Sequence, residues 1–258
     1  MVTDALKSIW RDGGTAFGAW LSLPVPLVAE AASLAGYDYV CIDMQHGLAD
    51  YGDVVHMLGA LAAGPATPVV RVPWNEAGII GRVLDAGALG VIIPMVNTPE
   101  EAARAVAACR YAPDGARSVG PVRAVTTYGP GYLTDANDHV ACIPMIETRQ
   151  AIEHLDEILE VPGIDAVYVG PSDLSLSYGL TPSPDNPGEP FDGALATVLD
   201  ACRRHGVVPG IHANGALAEK RHQAGFRMVT VGLDFNSLLG GLRRDLRTAR
   251  EAAAPAPT

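Results

Sequence analysis

Eight short runs rich in Val, Ile and Ala, near 16–20, 38–43, 67–72, 90–94, 140–147, 165–169, 207–211 and 227–232, recur along the chain. Longer amphipathic stretches separate them, at 25–35, 50–63, 76–86, 98–110, 148–160, 191–205, 214–223 and 234–250. This alternation is the pattern of repeated βαβ units. A strand covered on both faces needs a continuous apolar run, whereas its crossover helix needs one apolar face. Strand ends near 20, 43, 71, 94, 147, 170, 211 and 232 stand 23, 28, 23, 23 and 21 residues apart in the regular units. The two long intervals, 94 to 147 and 170 to 211, carry the Gly/Pro-rich segments 112–130 and 181–190, which are expected to shape the pocket over the active end.

Eight strands alternating with eight helices predict an α/β fold of one domain, a single (β/α)8 TIM barrel over 1–251 with a flexible Ala/Pro tail at 252–258. The chain's 258 residues match the usual size of that fold. A doubly wound sheet would want a glycine-rich turn after the first strand, and Leu21-Ser22-Leu23-Pro24 is not one.

A net charge of −11 argues against a nucleic-acid partner, which needs a basic face for phosphates. The longest apolar stretch, 83–96, is interrupted by Asp85 and too short to span a bilayer, so no membrane partner is expected. Residues 1–14 have no apolar core of a signal peptide. Cys41, Cys109, Cys142 and Cys202 fall in no metal-like spacing, and a cytoplasmic location with reduced thiols is the simplest account.

In a barrel the chemistry belongs at the C-terminal ends of the strands, where all βα loops converge. The second strand ends Asp43-Met44-Gln45-His46, the third on Arg71, the fifth delivers Glu147, and the sixth Ser172 and Asp173. Glu147 and Asp173 leave adjacent strands at nearly one height. Two carboxylates that close repel unless one is protonated or a cation sits between them. Hard oxygen ligands with room for water suit one Mg2+ or Mn2+ per subunit, with Co2+ or Zn2+ as substitutes. The alternative is that one of them caps the following helix.

His46 is a candidate general base, against the plain reading of a surface loop histidine. Asp85 sits in an unusually apolar setting and needs a partner, for which His46 is a candidate. Arg71 could bind a substrate carboxylate or meet a developing negative oxygen. Its alternative is a structural ion pair with Glu147 or Asp43. His212, Asn214 and Asp234 follow the last two strands and read as packing, capping or access residues.

The same strand ends carry a resemblance. Ile42-Asp43-Met44-Gln45-His46-Gly47, Val69-Val70-Arg71-Val72-Pro73-Trp74-Asn75, Ile93-Pro94-Met95-Val96, Ile146-Glu147-Thr148-Arg149 and Val169-Gly170-Pro171-Ser172-Asp173-Leu174-Ser175 occur in order at regular spacing. Together they resemble the HpcH/HpaI aldolase family, its 4-hydroxy-2-oxoheptanedioate and related class II pyruvate aldolases in particular. The resemblance implies a metal-dependent lyase that cleaves or forms 4-hydroxy-2-oxo acids through a pyruvate-type or hydroxypyruvate enolate and an aldehyde. It implies Glu147 and Asp173 as metal ligands, His46 as proton acceptor made more basic by Asp85, and Arg71 as the group that stabilises the transition state. The backbone around Ser172 and Asp173 would hold the donor carboxylate. It also implies a homo-oligomer, commonly a hexamer built as a trimer of dimers with the last helix exchanged.

Two positions depart from the family pattern. Met145 stands where a substrate-contacting glutamine is usual, and Met44-Gln45 where many relatives place a Gly-Glu or Ala-Glu pair. Both bear on the substrate more than on the reaction class. Three further readings compete: a citrate-lyase-β or malyl-CoA-type lyase, an oxaloacetate decarboxylase, and a catalytically silent barrel acting as a binding or assembly module. The acidic chain shows no basic cluster for coenzyme A phosphates, and the retained acid pair with His46 and Arg71 argues against a silent barrel.

Overall fold

Every one of the eight apolar runs forms a strand, and all eight pair in parallel, in sequence order, into a closed barrel. In the computed structural model, which describes residues 5–253, the elements run α1 (Ala5–Arg11), β1 (Ala16–Leu21), α2 (Pro26–Leu34), β2 (Tyr39–Asp43), α3 (Tyr51–Leu61), β3 (Thr67–Arg71) and α4 (Ala77–Asp85). They continue with β4 (Gly90–Ile93), α5 (Pro99–Cys109), α6 (Val122–Tyr128), α7 (Tyr132–His139), β5 (Ala141–Ile146), α8 (Arg149–Glu153), α9 (Leu155–Leu159) and β6 (Ala166–Val169). The last are α10 (Pro171–Ser177), α11 (Phe191–His205), β7 (Val208–His212), α12 (Ala218–Ala224), β8 (Met228–Leu233) and α13 (Asp234–Ala252). The β1–β8 ladder, Ala16 to Met228 through Trp20 to Leu233, closes the ring. The fold is a single (β/α)8 barrel.

Alternation along each strand divides the core in two. Val40, Ile42, Val70, Val91, Val167 and Val169 point outward and pack under the helices. Trp20, Tyr39, Cys41, Val69, Ile92, Ile143, Met145, Tyr168 and Met228 fill the barrel itself. Bulk inside demands space opposite: a Cβ on Gly18 would stand 2.0 Å from the Tyr39 ring. Tyr39 and Tyr168 satisfy their hydroxyls on Thr230 Oγ1, so the deep polar atoms are paired. All four cysteines are buried and free.

Four helices escape the sequence periodicity. Helix α1 closes the N-terminal end of the barrel: Leu6 joins the inner cluster, and Trp10 Nε1 donates to the Arg227 carbonyl at 3.2 Å. Helix α10 follows β6 directly. Helices α6 and α7 belong to the long 94–147 interval, and here the expectation from sequence is corrected. This insertion follows α5, so it lies at the N-terminal base and does not shape the mouth. Tyr128 donates its hydroxyl to the Gly87 carbonyl at 2.7 Å, and Arg123 Nη1 donates to the Ala86 carbonyl, both just beyond the C-terminus of α4. The predicted helix 148–160 breaks at His154 into α8 and α9, and the helix expected at 214–223 begins at Ala218.

Helix α13 has no buried residue and presents Phe235, Leu238, Leu242 and Leu246 to solvent on one stripe. Of the expected tail, Ala252 still ends α13 and 254–258 lie outside the described residues. Among the described residues no helix is long and apolar enough to cross a membrane.

Candidate active site

The inward positions that fill the barrel also build its mouth, because the last inward residue of each strand has no further layer above it. Trp20 ends β1 this way, Asp43 β2, Arg71 β3 and His212 β7. Beyond β5 and β6 the same parity brings in Glu147 and Gly170. A cavity of about 170 Å³ is lined by Trp20, Arg71, Met145, Glu147, Tyr168, Gly170 and His212. The loops after β2 and β6 add His46, Pro171, Ser172 and Asp173 to its wall. The residues singled out from sequence thus meet in one pocket, Asp85 excepted.

Asp85 is the last residue of α4, which runs back from the mouth along the outside of the barrel. Its carboxylate lies at the base, where Oδ1 pairs with Arg117 Nη2 at 2.7 Å. Pairing with His46 within one chain is therefore excluded by topology: the acid's apolar setting is satisfied by Arg117, whose guanidinium also packs on Tyr111 and Tyr132.

Arg71 and Asp43 are register partners on β3 and β2. Arg71 Nε donates to Asp43 Oδ1 at 2.8 Å and Nη2 to Oδ2 at 2.6 Å. Asp43 also accepts from Trp20 Nε1 at 3.2 Å and from the Gln45 and His46 backbone N–H groups at 3.0 and 3.4 Å. Burial pushes its carboxyl upward, but the Arg71 hydrogen bonds and charge outweigh it and hold the group below its ordinary value. Arg71 sits 4.8 Å from the Trp20 ring, leaving Nη1 for the pocket.

Glu147 is 1% exposed. Oε1 accepts from the Met95 backbone N–H at 2.9 Å, while Oε2 is buried with no hydrogen-bond partner. Burial raises its carboxyl to about 7; the Met95 N–H opposes this and the charge of Asp173 adds to it. Gly170 is required beside it, since a Cβ there would stand 2.3 Å from Oε2. A buried orphan oxygen, a second carboxylate close by and a gap kept open by glycine fit a bound cation. Among the described residues no group of three or more His, Cys, Asp or Glu converges, so two carboxylates would leave the remaining positions to water and substrate.

Trp20, which no motif in the sequence singles out, and His212, expected only as a packing, capping or access residue, also line the pocket. Burial, with Arg71 nearby, lowers the His212 imidazole to about 4, and its ring meets Trp20 edge-on at 4.9 Å. It lines the pocket as a neutral group. The signal was present in its strand-end position, as it was for Arg71. Asn214 and Asp234 cap no helix but tie loops: Asn214 accepts from the Leu217 N–H in the turn before α12, and Asp234 accepts from the Ser22 and Leu23 N–H groups of the β1–α2 loop.

The two lysines stand elsewhere. Lys7 Nζ pairs with Asp165 at 2.7 Å at the base, and Lys220 pairs with Asp185 on exposed α12.

Comparison with known proteins places the chain in one family. Residues 16–240 match the family described as HpcH/HpaI aldolase/citrate lyase. A hydroxypyruvate/pyruvate aldolase of Rhizorhabdus wittichii is 42% identical over 95% of this chain and 98% of its own. A 4-hydroxy-2-oxo-heptane-1,7-dioate aldolase of Salmonella arizonae is 38% identical over 92% of this chain and 91% of its own. A crystal structure of a family protein from Burkholderia cenocepacia superposes with a TM-score of 0.89 at 39% identity, covering 96% of this chain and 100% of the other. The chain belongs to the HpcH/HpaI aldolase/citrate lyase family and is a carbon–carbon lyase of the aldolase type.

Proposed function

We propose that the pocket takes a pyruvate or hydroxypyruvate donor together with an aldehyde, and that Glu147 and Asp173 hold one divalent cation there, Mg2+ or Mn2+ by preference. Divalent-metal dependence is general in this family. The observation that carries the metal reading is Glu147 Oε2, buried, unpartnered and next to a second carboxylate. When bound, the cation supplies Lewis acidity that draws electrons from the 2-oxo group and acidifies the neighbouring carbon.

The protein's own groups do the rest. The donor carboxylate lies against the backbone of Ser172 and Asp173, above Met145. In the cleavage direction His46 accepts the proton of the 4-hydroxyl as the carbon–carbon bond breaks, and it returns that proton in condensation. The electron pair released from the bond moves toward the 2-oxo oxygen, where Arg71 Nη1 donates. Asp43 keeps that guanidinium fixed, so no reorientation is needed as charge develops. Trp20, Tyr168 and His212 supply a low-dielectric wall. Among the described residues Arg71 is the only Lys or Arg lining this pocket, which disfavours a coenzyme A thioester as substrate.

The exposed stripe of α13, beside an apolar groove formed by Leu21, Leu23, Val28 and Tyr37, supports a homo-oligomer in which the last helix packs on a neighbour, a hexamer of three dimers. Free buried cysteines support a reducing, cytoplasmic setting.

The test is an assay of purified protein with pyruvate or hydroxypyruvate plus aldehydes, with oxaloacetate, and with an acyl-CoA, before and after EDTA. Aldol turnover that EDTA abolishes and Mg2+ or Mn2+ restores is the expected result. Full activity in metal-stripped protein would overturn the metal reading. Light scattering with Leu238→Asp and Leu242→Asp tests the assembly, which should dissociate.

A further inference from the structure

We infer that Asn97 is a positioning residue for Glu147, acting through a left-handed turn at Met95. This rests on the reading of Glu147 as a metal ligand. Met95, just past β4, has φ of 56°, the one positive value at a non-glycine residue among the described residues. That region crowds the Cβ of an ordinary L-residue, so the surroundings must hold it.

Asn97 does the holding from both sides. Its Nδ2 donates to the Met95 carbonyl at 2.9 Å, and its Oδ1 accepts from the hydroxyl of Thr148. Thr148 is the residue after Glu147, and its hydroxyl also accepts from the Ala151 N–H at 3.0 Å, capping α8. The Asn97 backbone N–H donates to Glu101 Oε2 at 2.7 Å, which pins Asn97 itself to the first turn of α5. A closed ring results. It leaves Glu147 through Oε1 to the Met95 N–H, passes through the Met95 carbonyl to Asn97, and returns through Thr148 to the backbone beside Glu147.

With β4 anchored before Met95 and Asn97 after it, the turn keeps the Met95 peptide plane in the orientation in which its N–H meets Oε1. With Oε1 committed, the carboxylate plane is set and Oε2 is the oxygen left for a ligand. Without Asn97, Met95 relaxes toward negative φ, its N–H swings away, and a rotating carboxylate must be ordered by the cation at each binding event. Groups that orient metal ligands in this way typically contribute about 10- to 100-fold in affinity.

The experiment is an electron paramagnetic resonance titration of the full chain with Mn2+, alongside melting temperature and turnover at saturating Mn2+. Asn97→Ala should raise the Mn2+ Kd about tenfold, while turnover at saturating Mn2+ stays within about threefold of wild type. Adding Met95→Gly to that variant should recover most of the lost affinity, because glycine adopts positive φ without steric cost. A merely structural role for Asn97 would not give that rescue. If Asn97→Ala does not fold, Asn97→Asp has the same size, keeps the acceptor for Thr148, loses the donor to Met95, and should shift Kd in the same direction. An unchanged Mn2+ Kd in the folded Asn97 variant, with binding lost in Glu147→Ala, overturns the inference alone. A loss that Met95→Gly does not restore overturns the route through Met95. Wild-type Mn2+ affinity in Glu147→Ala overturns the metal reading and the inference with it.

Discussion

Asp43 and Arg71 face each other in register at the top of β2 and β3, joined by two hydrogen bonds of 2.6 and 2.8 Å. The pair is buried, and the carboxylate is further held by Trp20 and the backbone of the His46 loop. It therefore ties the arginine at the pocket to the segment that carries the histidine. Asp43→Ala should leave a buried guanidinium without its counter-charge, costing about 3–5 kcal/mol of stability. Turnover should fall about 100-fold, with Mn2+ affinity nearly unchanged. Chemical denaturation and steady-state kinetics check both. Arg71→Lys, with Asp43 intact, should lose turnover as well, since a lysine cannot reproduce the two-pronged bond to that carboxylate.

His46 lies at the exposed rim of the pocket. His46→Ala should fold and bind metal as the wild type does, while retro-aldol turnover drops about 100-fold. Turnover near the wild-type level would remove His46 from the mechanism.

Glu147 gives a pH dependence with a definite sign. Its carboxyl stands at about 7 in the fold against an ordinary 4.5, mainly because burial disfavours the charged form. The folded state thus holds this proton more tightly than the unfolded chain. Its stabilising contribution is full below about pH 4.5 and is lost as pH rises through 7, on the order of 3 kcal/mol in metal-free protein. Melting in EDTA should show that loss between pH 5 and 7.5, and Glu147→Gln should flatten it. Mn2+ affinity should weaken below pH 7, where the proton competes for the same oxygen. An equal slope in Glu147→Gln would assign the dependence to another group.

Met145 is buried beneath Glu147 and lines the pocket. Met145→Gln adds an amide at the floor, so the ratio of kcat/KM for hydroxypyruvate to that for pyruvate should change by about 10-fold, with Mn2+ affinity unchanged. Identical donor ratios would show that the side chain does not reach the donor.

Neither lysine approaches the pocket, and both are held in ion pairs. Borohydride in the presence of pyruvate should therefore leave activity intact and add no mass to the chain. A trapped adduct on Lys7 or Lys220 would restore a Schiff-base route.

The sequence by itself determined the strands, because a strand inside a barrel must be apolar on both faces and that run is a local signal. All eight appear within two residues of their expected ends. It also determined which side chains follow β3, β5 and β6 at the mouth, since strand-end position alone singles out Arg71, Glu147, Ser172 and Asp173. Tertiary structure decided what those side chains meet. Asp85 looked available to His46 because both are polar residues near apolar runs. Only the return path of α4 shows that the acid lies at the opposite end, on Arg117. Segment 112–130 looked like a cover for the mouth, yet its place after a helix, not after a strand, sends it to the base. Trp20 and His212 touch although they stand 192 positions apart, because β8 closes on β1 and leaves β7 two strands away. No local pattern encodes that contact. Barrel closure joins residues by strand order and shear, and those become definite only when the last strand pairs with the first.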